Sequence, residues 1–518
     1  MEFETASQRL CRLVSVVRRR MRCGGLMGAR TGEEFLQGLR DRRRWISIDG
    51  RMIDDVTADP ATSGAARTLA GIFDRQHEFS DDCLIPDDDT GELISISHMH
   101  PRSVDDLWRR VRGLTRIAEA TNGLMGRTPD YMNVKFASFA ARSDGWAGTN
   151  RTNEQGQSNL LAFQRRLRRD DVCLTHTIIQ PNIDKRSDGV ILGNTVTLHK
   201  VDETPETIVV RGARILATLA PFADEIAVYP ALPIPDGAED YALAFSVPVD
   251  ISGLKFVCRD SASVDANAFD RPISSRFDEQ DAFVIFDDVE IPRERCFLDG
   301  RPGSVEIYNT CSRTGLLENM TTQTTIRALT KLEFAYGLAT RMAEMLGDYT
   351  PATLEMLGEL LSYVEVTRSA IFASTEEGYD IGTGVFFPGG RALTPMRSLL
   401  AVWFPRVNEI ITLIGSHNLL ATPSLSLLND PDMRPLIDEF MHGADGTTAV
   451  ERAALFRLAW EFVGSQLGGR NALYERFYLT SAGRNRMVAH ITNADRSRPN
   501  ALVDNILAAG RKAAGRHR

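Results

Sequence analysis

Nucleotide fingerprints are missing from this sequence. No Gly-x-Gly-x-x-Gly follows a strand-like run and no Gly-x-x-x-x-Gly-Lys-Ser/Thr occurs; Gly382-Thr383-Gly384 and Gly389-Gly390 read as turns. That argues against an ordinary nicotinamide-binding βαβ unit or a P-loop kinase. The Gly-x-Ser-x-Gly elbow of an α/β-hydrolase is absent as well. Cysteine is sparse: seven residues, odd in number, scattered, with no Cys-x-x-Cys. A disulfide framework or a zinc site is therefore disfavoured, and a reducing cytoplasm fits best. His98 and His100 form a His-x-His pair, but two ligands with no acidic or Cys partner at motif spacing do not make a metal centre, so no metal is expected. Excess positive charge is lacking too. A net charge of −9 disfavours nucleic acid, whose binding needs a basic face. No apolar run approaches the ~20 residues of a membrane span. The short run Leu13 to Val17 precedes Arg18, Arg19, Arg20 and Arg22, the reverse of a secretory signal, so residues 1–28 read as an N-terminal extension.

What is present falls into three zones. Residues 29–149 have helical periodicity. Thr31-Gly32-Glu33-Glu34 and Ser103-Val104-Asp105-Asp106 each open a helix, with a hydroxyl cap followed by acids in the first turn. Residues 150–300 read as strands: Thr195 to His199, Thr207 to Val210, Tyr241 to Phe245 and Ala282 to Phe286 are rich in β-branched or aromatic residues and separated by Gly, Pro and Asp clusters. Residues 301–518 return to long amphipathic helical patterns and end in an Arg-rich tail. The order implies an α+β architecture with segregated layers.

Three segments carry candidate chemistry. In Gly126-Arg127-Thr128-Pro129-Asp130-Tyr131, Thr128 suits an N-cap and Pro129 the first helical position. Arg127 and Tyr131 then flank a helix N-terminus, where backbone N–H groups favour an anion such as a phenolate. In Thr175-His176-Thr177-Ile178-Ile179-Gln180-Pro181 and the polar residues that follow, His176 by itself reads as a hydrogen-bonded core histidine, while the polar residues after Pro181 can bond a flavin edge or a phosphate. Thr218, in Leu216-Ala217-Thr218, is either a satisfied core hydroxyl or one aimed at a flat cofactor.

Together these residues resemble the 4-hydroxyphenylacetate 3-monooxygenase family. Its markers also stand here as Arg30-Thr31-Gly32, Ser274-Ser275-Arg276-Phe277-Asp278-Glu279, Phe286-Asp287-Asp288-Val289, Asn429-Asp430-Pro431 and Gly468-Gly469-Arg470, so the match spans about Arg30 to Tyr478. The resemblance implies an acyl-CoA-dehydrogenase-like fold: a helical N-terminal domain, a middle β-barrel and a C-terminal four-helix bundle in a homotetramer. It implies FAD between barrel and bundle, delivered reduced by a separate NAD(P)H:flavin reductase. It also implies ortho hydroxylation of a phenol with O₂ through a C4a-hydroperoxyflavin.

By the same resemblance Arg127, Tyr131 and His176 surround the substrate hydroxyl. His176, Asn182, Ile183, Asp184, Lys185, Thr218, Tyr478, Leu479, Thr480 and Ser481 contact FAD. Two departures stand out: Tyr474-Glu475-Arg476-Phe477-Tyr478 is followed by Leu479-Thr480-Ser481 rather than a glycine turn, and Ile291-Pro292-Arg293-Glu294-Arg295 lacks the family's usual Trp. The loop Val228-Tyr229-Pro230-Ala231-Leu232-Pro233 offers no Ser or Thr to a substrate carboxylate, which predicts a phenol with a neutral para substituent, such as a modified tyrosine or a carrier-tethered or otherwise elaborated aromatic from secondary metabolism. The alternatives are a lyase or dehydrogenase of the same fold acting on a CoA thioester, or an inactive flavin-binding scaffold. An iron–sulfur lyase needs several Cys, and the Arg127–Tyr131 region has none.

Overall fold

The computed structural model describes residues 28–181, 193–264, 266–313, 317–492 and 496–515. The expected cofactor residues Asn182, Ile183, Asp184 and Lys185, and nearly all of the 1–28 extension, lie outside the described residues. The chain begins with helices α1 (Gly32–Arg40), α2 (Ser63–Glu78), α3 (Val104–Glu119), α4 (Pro129–Ala141) and α5 (Glu154–Arg169), with strands β1 (Ile46–Ile48) and β2 (Arg51–Met52) between the first two helices. The starts of α1 and α3 follow the sequence. Thr31 forms a capping box, its hydroxyl accepting from Glu34 N at 3.3 Å and its own N–H donating to the Glu34 carboxylate at 2.8 Å. Ser103 Oγ accepts from Asp106 N at 3.1 Å. Phe35 on α1 stacks on Phe73 of α2 at 4.7 Å, and each ring is fully buried, contributing roughly 1.5–3 kcal/mol.

The strand-rich part follows α5 as β3 (Leu174–His176), β4 (His199–Glu203), β5 (Thr207–Thr218), β6 (Glu225–Val228), β7 (Leu243–Pro248), β8 (Leu254–Cys258), β9 (Asp281–Pro292) and β10 (Cys296–Asp299). These make a six-stranded sheet in the order β2-β1-β8-β9-β5-β4, and a four-stranded sheet in the order β10-β7-β6-β3. Two expected strands start later than the sequence suggests. Thr195 to Thr197 belong to a turn in which Asn194 Oδ1 accepts from Val196 N at 2.9 Å, so β4 begins only at His199. Glu239 to Tyr241 form one 3₁₀ turn, which delays β7 to Leu243.

Antiparallel β5 and β9 place Thr218 opposite Asp281 and Arg214 opposite Val284. Between those pairs the register shifts, and Leu216 takes φ +72°. This is a β-bulge, a device that re-aims side chains along a strand.

The longer helices that follow are α6 (Ser304–Arg313), α7 (Leu317–Leu346), α8 (Pro351–Glu376), α9 (Gly390–Gly415), α10 (Ala449–Val463), α11 (Gln466–Phe477), α12 (Ala482–Thr492) and α13 (Ser497–Gly515). Helix α7 packs against α8, α9 and α10, and also reaches back to α3 and α4, tying the bundle to the N-terminal helices. One stretch corrects the expectation about apolar runs. Gly390–Leu419 is long and apolar enough to cross a membrane by length and composition alone. It sits in the bundle with 39% of its apolar window buried, and Arg406 on it pairs with Glu359 of α8 at 2.9 Å.

Candidate active site

Helix α4 starts at Pro129, with Thr128 extended at the N-cap, but the Thr128 hydroxyl makes no capping bond. A buried carboxylate from the barrel serves the residues just before it. Glu279 accepts from Gly126 N at 2.8 Å and from Arg127 N at 3.0 Å, fixing the Gly126-Arg127 peptide. Gly126 is required here, because a Cβ would lie 2.2 Å from the Tyr474 ring. Arg470 on α11 donates to Glu279 at 2.6 Å and to both Asp281 oxygens at 2.6 and 2.7 Å. Burial acts to raise the Asp281 carboxyl, but Arg470 and Arg259 outweigh it and hold the group well below the ordinary range. Thr218, opposite Asp281 in the sheet, donates its hydroxyl proton to that carboxylate at 2.8 Å. The Thr218 oxygen is thereby left to accept a bond.

The Arg127 guanidinium lies 3.9 Å from the Tyr478 ring centre, 4.1 Å from Tyr131 and 5.5 Å from Tyr474. It donates to Tyr478 O at 3.2 Å, while the Tyr478 hydroxyl donates to Gly126 O at 2.6 Å. Among the described residues no carboxylate forms an ion pair with Arg127. Burial opposes its charge, yet the phenols of Tyr131, Tyr474 and Tyr478 outweigh that and keep it a cation.

His176, the last residue of β3, is buried with its ring 5.5 Å from Tyr131 and 5.6 Å from Tyr229. Burial, with Arg127 and Lys135 as nearby cations, pushes its pKa well below 6.5, so the imidazole is neutral. The Tyr131 hydroxyl donates to the weak acceptor Met320 Sδ, at 3.0 Å. Tyr229 Oη, Thr177 Oγ1 and Tyr474 Oη are buried without hydrogen-bond partners among the described residues. Tyr229 belongs to the apolar cluster around Tyr131, and an orphaned buried polar group in such a cluster is the mark of a ligand chamber.

The chamber wall also fits a flat cofactor. Leu216 and Leu219, at φ +72° and +69°, hold strained backbone on either side of Thr218. Ile179, Ile215 and Leu216 leave apolar surface exposed nearby, with Ile179 bridged to Ile215. An apolar face beside an acceptor hydroxyl matches a flavin, whose rings are apolar and whose edge carries hydrogen-bonding atoms.

The structure thus brings together Arg127, Tyr131, His176 and Tyr478, with Thr218 joined to them through Asp281, Arg470 and Glu279. Leu479 packs against the same apolar cluster. Thr480 is exposed at φ +70°, and Ser481 accepts from Arg484 N at 3.3 Å, at the start of α12. Sequence reasoning gave no role to Glu279, Asp281, Arg470 or Tyr474. Three of these four sit in motifs it quoted, Ser274 to Glu279, Gly468 to Arg470 and Tyr474 to Tyr478, which now converge on one peptide. A separate cavity lined by Thr195, His199, Asp240 and Tyr241 contains none of the candidate residues.

Comparison with known proteins identifies the family. Residues 31–298 match the family model for the 4-hydroxyphenylacetate 3-hydroxylase N terminal region, and residues 308–508 match the C terminal region. A 4-hydroxyphenylacetate 3-monooxygenase oxygenase component from Thermus thermophilus is 35% identical over 453 residues, covering 87% of this chain and 92% of the relative. The oxygenase component of a 4-nitrophenol 2-monooxygenase from a Rhodococcus species is 32% identical over 465 residues, covering 86% of this chain and 85% of the relative. A crystal structure of an oxygenase component of 4-hydroxyphenylacetate 3-monooxygenase complexed with FAD and 4-hydroxyphenylacetate superposes with a TM-score of 0.87 at 32% identity, covering 94% of this chain and 100% of that one. With matches along both regions and over most of each relative's length, this chain belongs to the 4-hydroxyphenylacetate 3-hydroxylase family.

Proposed function

We propose that the chain is the oxygenase component of a two-component, FADH₂-dependent monooxygenase that hydroxylates a phenol ortho to its hydroxyl group. One observation carries the reading: a half-buried guanidinium with no carboxylate partner among the described residues, Arg127, lies among phenol rings close to a buried neutral imidazole, His176. A phenol is a poor carbon nucleophile, and its phenolate a good one. A substrate hydroxyl held between these groups gives up its proton toward His176, and Arg127 and Tyr131 stabilise the oxyanion. Transfer to an imidazole of depressed pKa is uphill in isolation, and Arg127 lowers that pKa further, so the drive comes from the stronger, charge-assisted stabilisation of the phenolate by Arg127 and Tyr131.

Reduced FAD, when bound, supplies the electrons and the O₂ activation that put one oxygen atom on the ring. Thr218, Tyr478, Leu479 and the loop Asn182 to Lys185 would hold it. The Thr218 oxygen, an acceptor only, suits the N5–H of the reduced flavin and not the bare N5 of the oxidised one. The apolar cluster around Tyr131, Phe136 and Tyr229 keeps water from the reacting centre.

The reductase is a separate protein, in keeping with the relatives' description as oxygenase components. The chain works as a homo-oligomer, a tetramer, in the cytoplasm. Exposed Leu361, Val366 and Phe372 on α8 and Val402 and Leu413 on α9 supply apolar surface for subunit contacts. The described free cysteines are buried thiols, in keeping with a reducing compartment. The test is to supply enzymatically reduced FAD, O₂ and a panel of free and carrier-tethered phenols. A product heavier by one oxygen atom is expected, and its absence across the panel would refute the reading.

A further inference from the structure

Arg214 is the most anomalous charge in the described structure. It lies on β5, opposite Val284, and is 1% exposed. Its Nε and Nη1 have no hydrogen-bond partner, and no carboxylate pairs with it among the described residues. Arg327 and Arg470, by contrast, each grip a carboxylate. Burial pushes the Arg214 pKa down to about 10, with the Tyr308 phenol as its one charge neighbour. An unpaired buried cation is costly, and such a group persists where a ligand completes it.

Its position says which ligand. Tyr308 lies close to the backbone of Ala231, in the loop after β6. Tyr308, Tyr229, Ile234, Tyr131 and Met320 belong to one buried cluster, and Tyr229 leans on His176. Arg214 is thus near Tyr308, a member of that cluster, whereas Arg127 lies over the Tyr131 ring. A phenol with its hydroxyl at Arg127 and His176 would direct its para substituent toward the loop and Arg214.

Resting on the phenol-hydroxylase reading, we propose that Arg214 anchors an anionic oxygen group, a carboxylate on the para side chain of the substrate. The guanidinium fork suits two carboxylate oxygens. This reverses the expectation of a neutral para substituent, which considered only the side chains of the loop Val228 to Pro233. The anchor comes instead from the neighbouring strand.

The experiment compares wild type with Arg214→Met and Arg214→Lys, each holding anaerobically reduced FAD. The affinities of 4-hydroxyphenylacetate and its methyl ester are read from the flavin spectrum, and reduced-FAD affinity is measured separately. The wild type should favour the acid by at least about tenfold. Arg214→Met should lose about 10- to 100-fold for the acid, leave the ester and FAD within about twofold, and match or exceed the wild-type melting temperature without ligand. Arg214→Lys should retain part of the preference. Equal losses for acid and ester, no loss, or a loss confined to reduced FAD, as a contact to its diphosphate would give, overturns the proposal. A lower melting temperature for the ligand-free Met variant would mark a structural arginine and also overturn it. If wild type binds and hydroxylates both probes without preference, only the Arg214 assignment falls. If it hydroxylates neither, the phenol-hydroxylase reading itself falls.

Discussion

Arg127 and Arg327 both lie over the ring of Tyr478, at 3.9 and 4.5 Å, yet their electrical situations are opposite. Arg327 donates two bonds to Glu475, at 2.9 and 2.8 Å, and Lys331 adds a third at 2.8 Å. Arg327, Lys331 and Glu475 are all buried, and their ion pairs join α7 to α11. Among the described residues Arg127 has phenol rings and two backbone carbonyls in place of a carboxylate. The contrast separates two uses of a buried cation. One is neutralised by the protein and fixes the bundle; the other keeps its charge for an anion that arrives with the substrate.

The largest expected effects come from breaking the Arg127 side. His176→Ala and Arg127→Met should each lower hydroxylation by about 10²–10⁴-fold. O₂ should still be consumed with reduced FAD and released as hydrogen peroxide, so product and peroxide must be measured together. Near-normal product yield from either variant would remove that residue from the chemistry.

On the other side of Tyr478, Glu475→Gln should act on stability instead. It leaves Arg327 and Lys331 buried without their carboxylate, at a cost of about 3–5 kcal/mol. Denaturant melts should show the loss, and any protein that stays folded should keep most of its hydroxylation rate. A large rate loss in fully folded protein would erase the distinction between the two arginines.

A smaller effect sharpens the link between Thr218 and the barrel. Asp281→Asn no longer obliges Thr218 to donate its proton outward, so the preference for reduced over oxidised FAD should shrink by about tenfold, roughly one hydrogen bond to a charged group. Anaerobic titration with both flavin forms reads this directly; an unchanged ratio would detach Asp281 from the cofactor.

The smallest effects are in pH dependence. With the folded-state His176 pKa well below 6.5, the imidazole remains neutral as pH falls through 6.5, and kcat should show no His limb there. Glu475 has a depressed folded pKa, about 2 against 4.5. Its stabilising contribution is complete above the unfolded value and is lost as pH falls from there through about 2. Acid melts of wild type and Glu475→Gln should therefore converge at low pH.

Much of this was legible in the sequence, for identifiable reasons. The starts of α1 and α3 were readable because capping is local: Thr31 with Glu34 and Ser103 with Asp106 are three residues apart. Arg127, Tyr131 and His176 could be singled out because their motifs are short. The partners that define them are remote. Glu279 is 153 residues from Gly126, and Arg470 is 191 from Glu279, so neither spacing nor periodicity reveals that one carboxylate fixes the Gly126-Arg127 peptide. Arg214 was invisible for a related reason. Within Gly212-Ala213-Arg214-Ile215 it looks like any strand residue, and only burial without a partner exposes it.

The central claim is that the Arg127–His176 edge of the chamber holds the substrate as a phenolate. It is tested most directly with 4-nitrophenol, whose phenol and phenolate forms absorb at different wavelengths. The compound is bound to protein loaded with reduced FAD, without O₂, at a pH one unit below its solution pKa. The account predicts the phenolate band in wild type and its loss in Arg127→Met. Binding of the neutral phenol to wild type, with the same spectrum as in Arg127→Met, would contradict it.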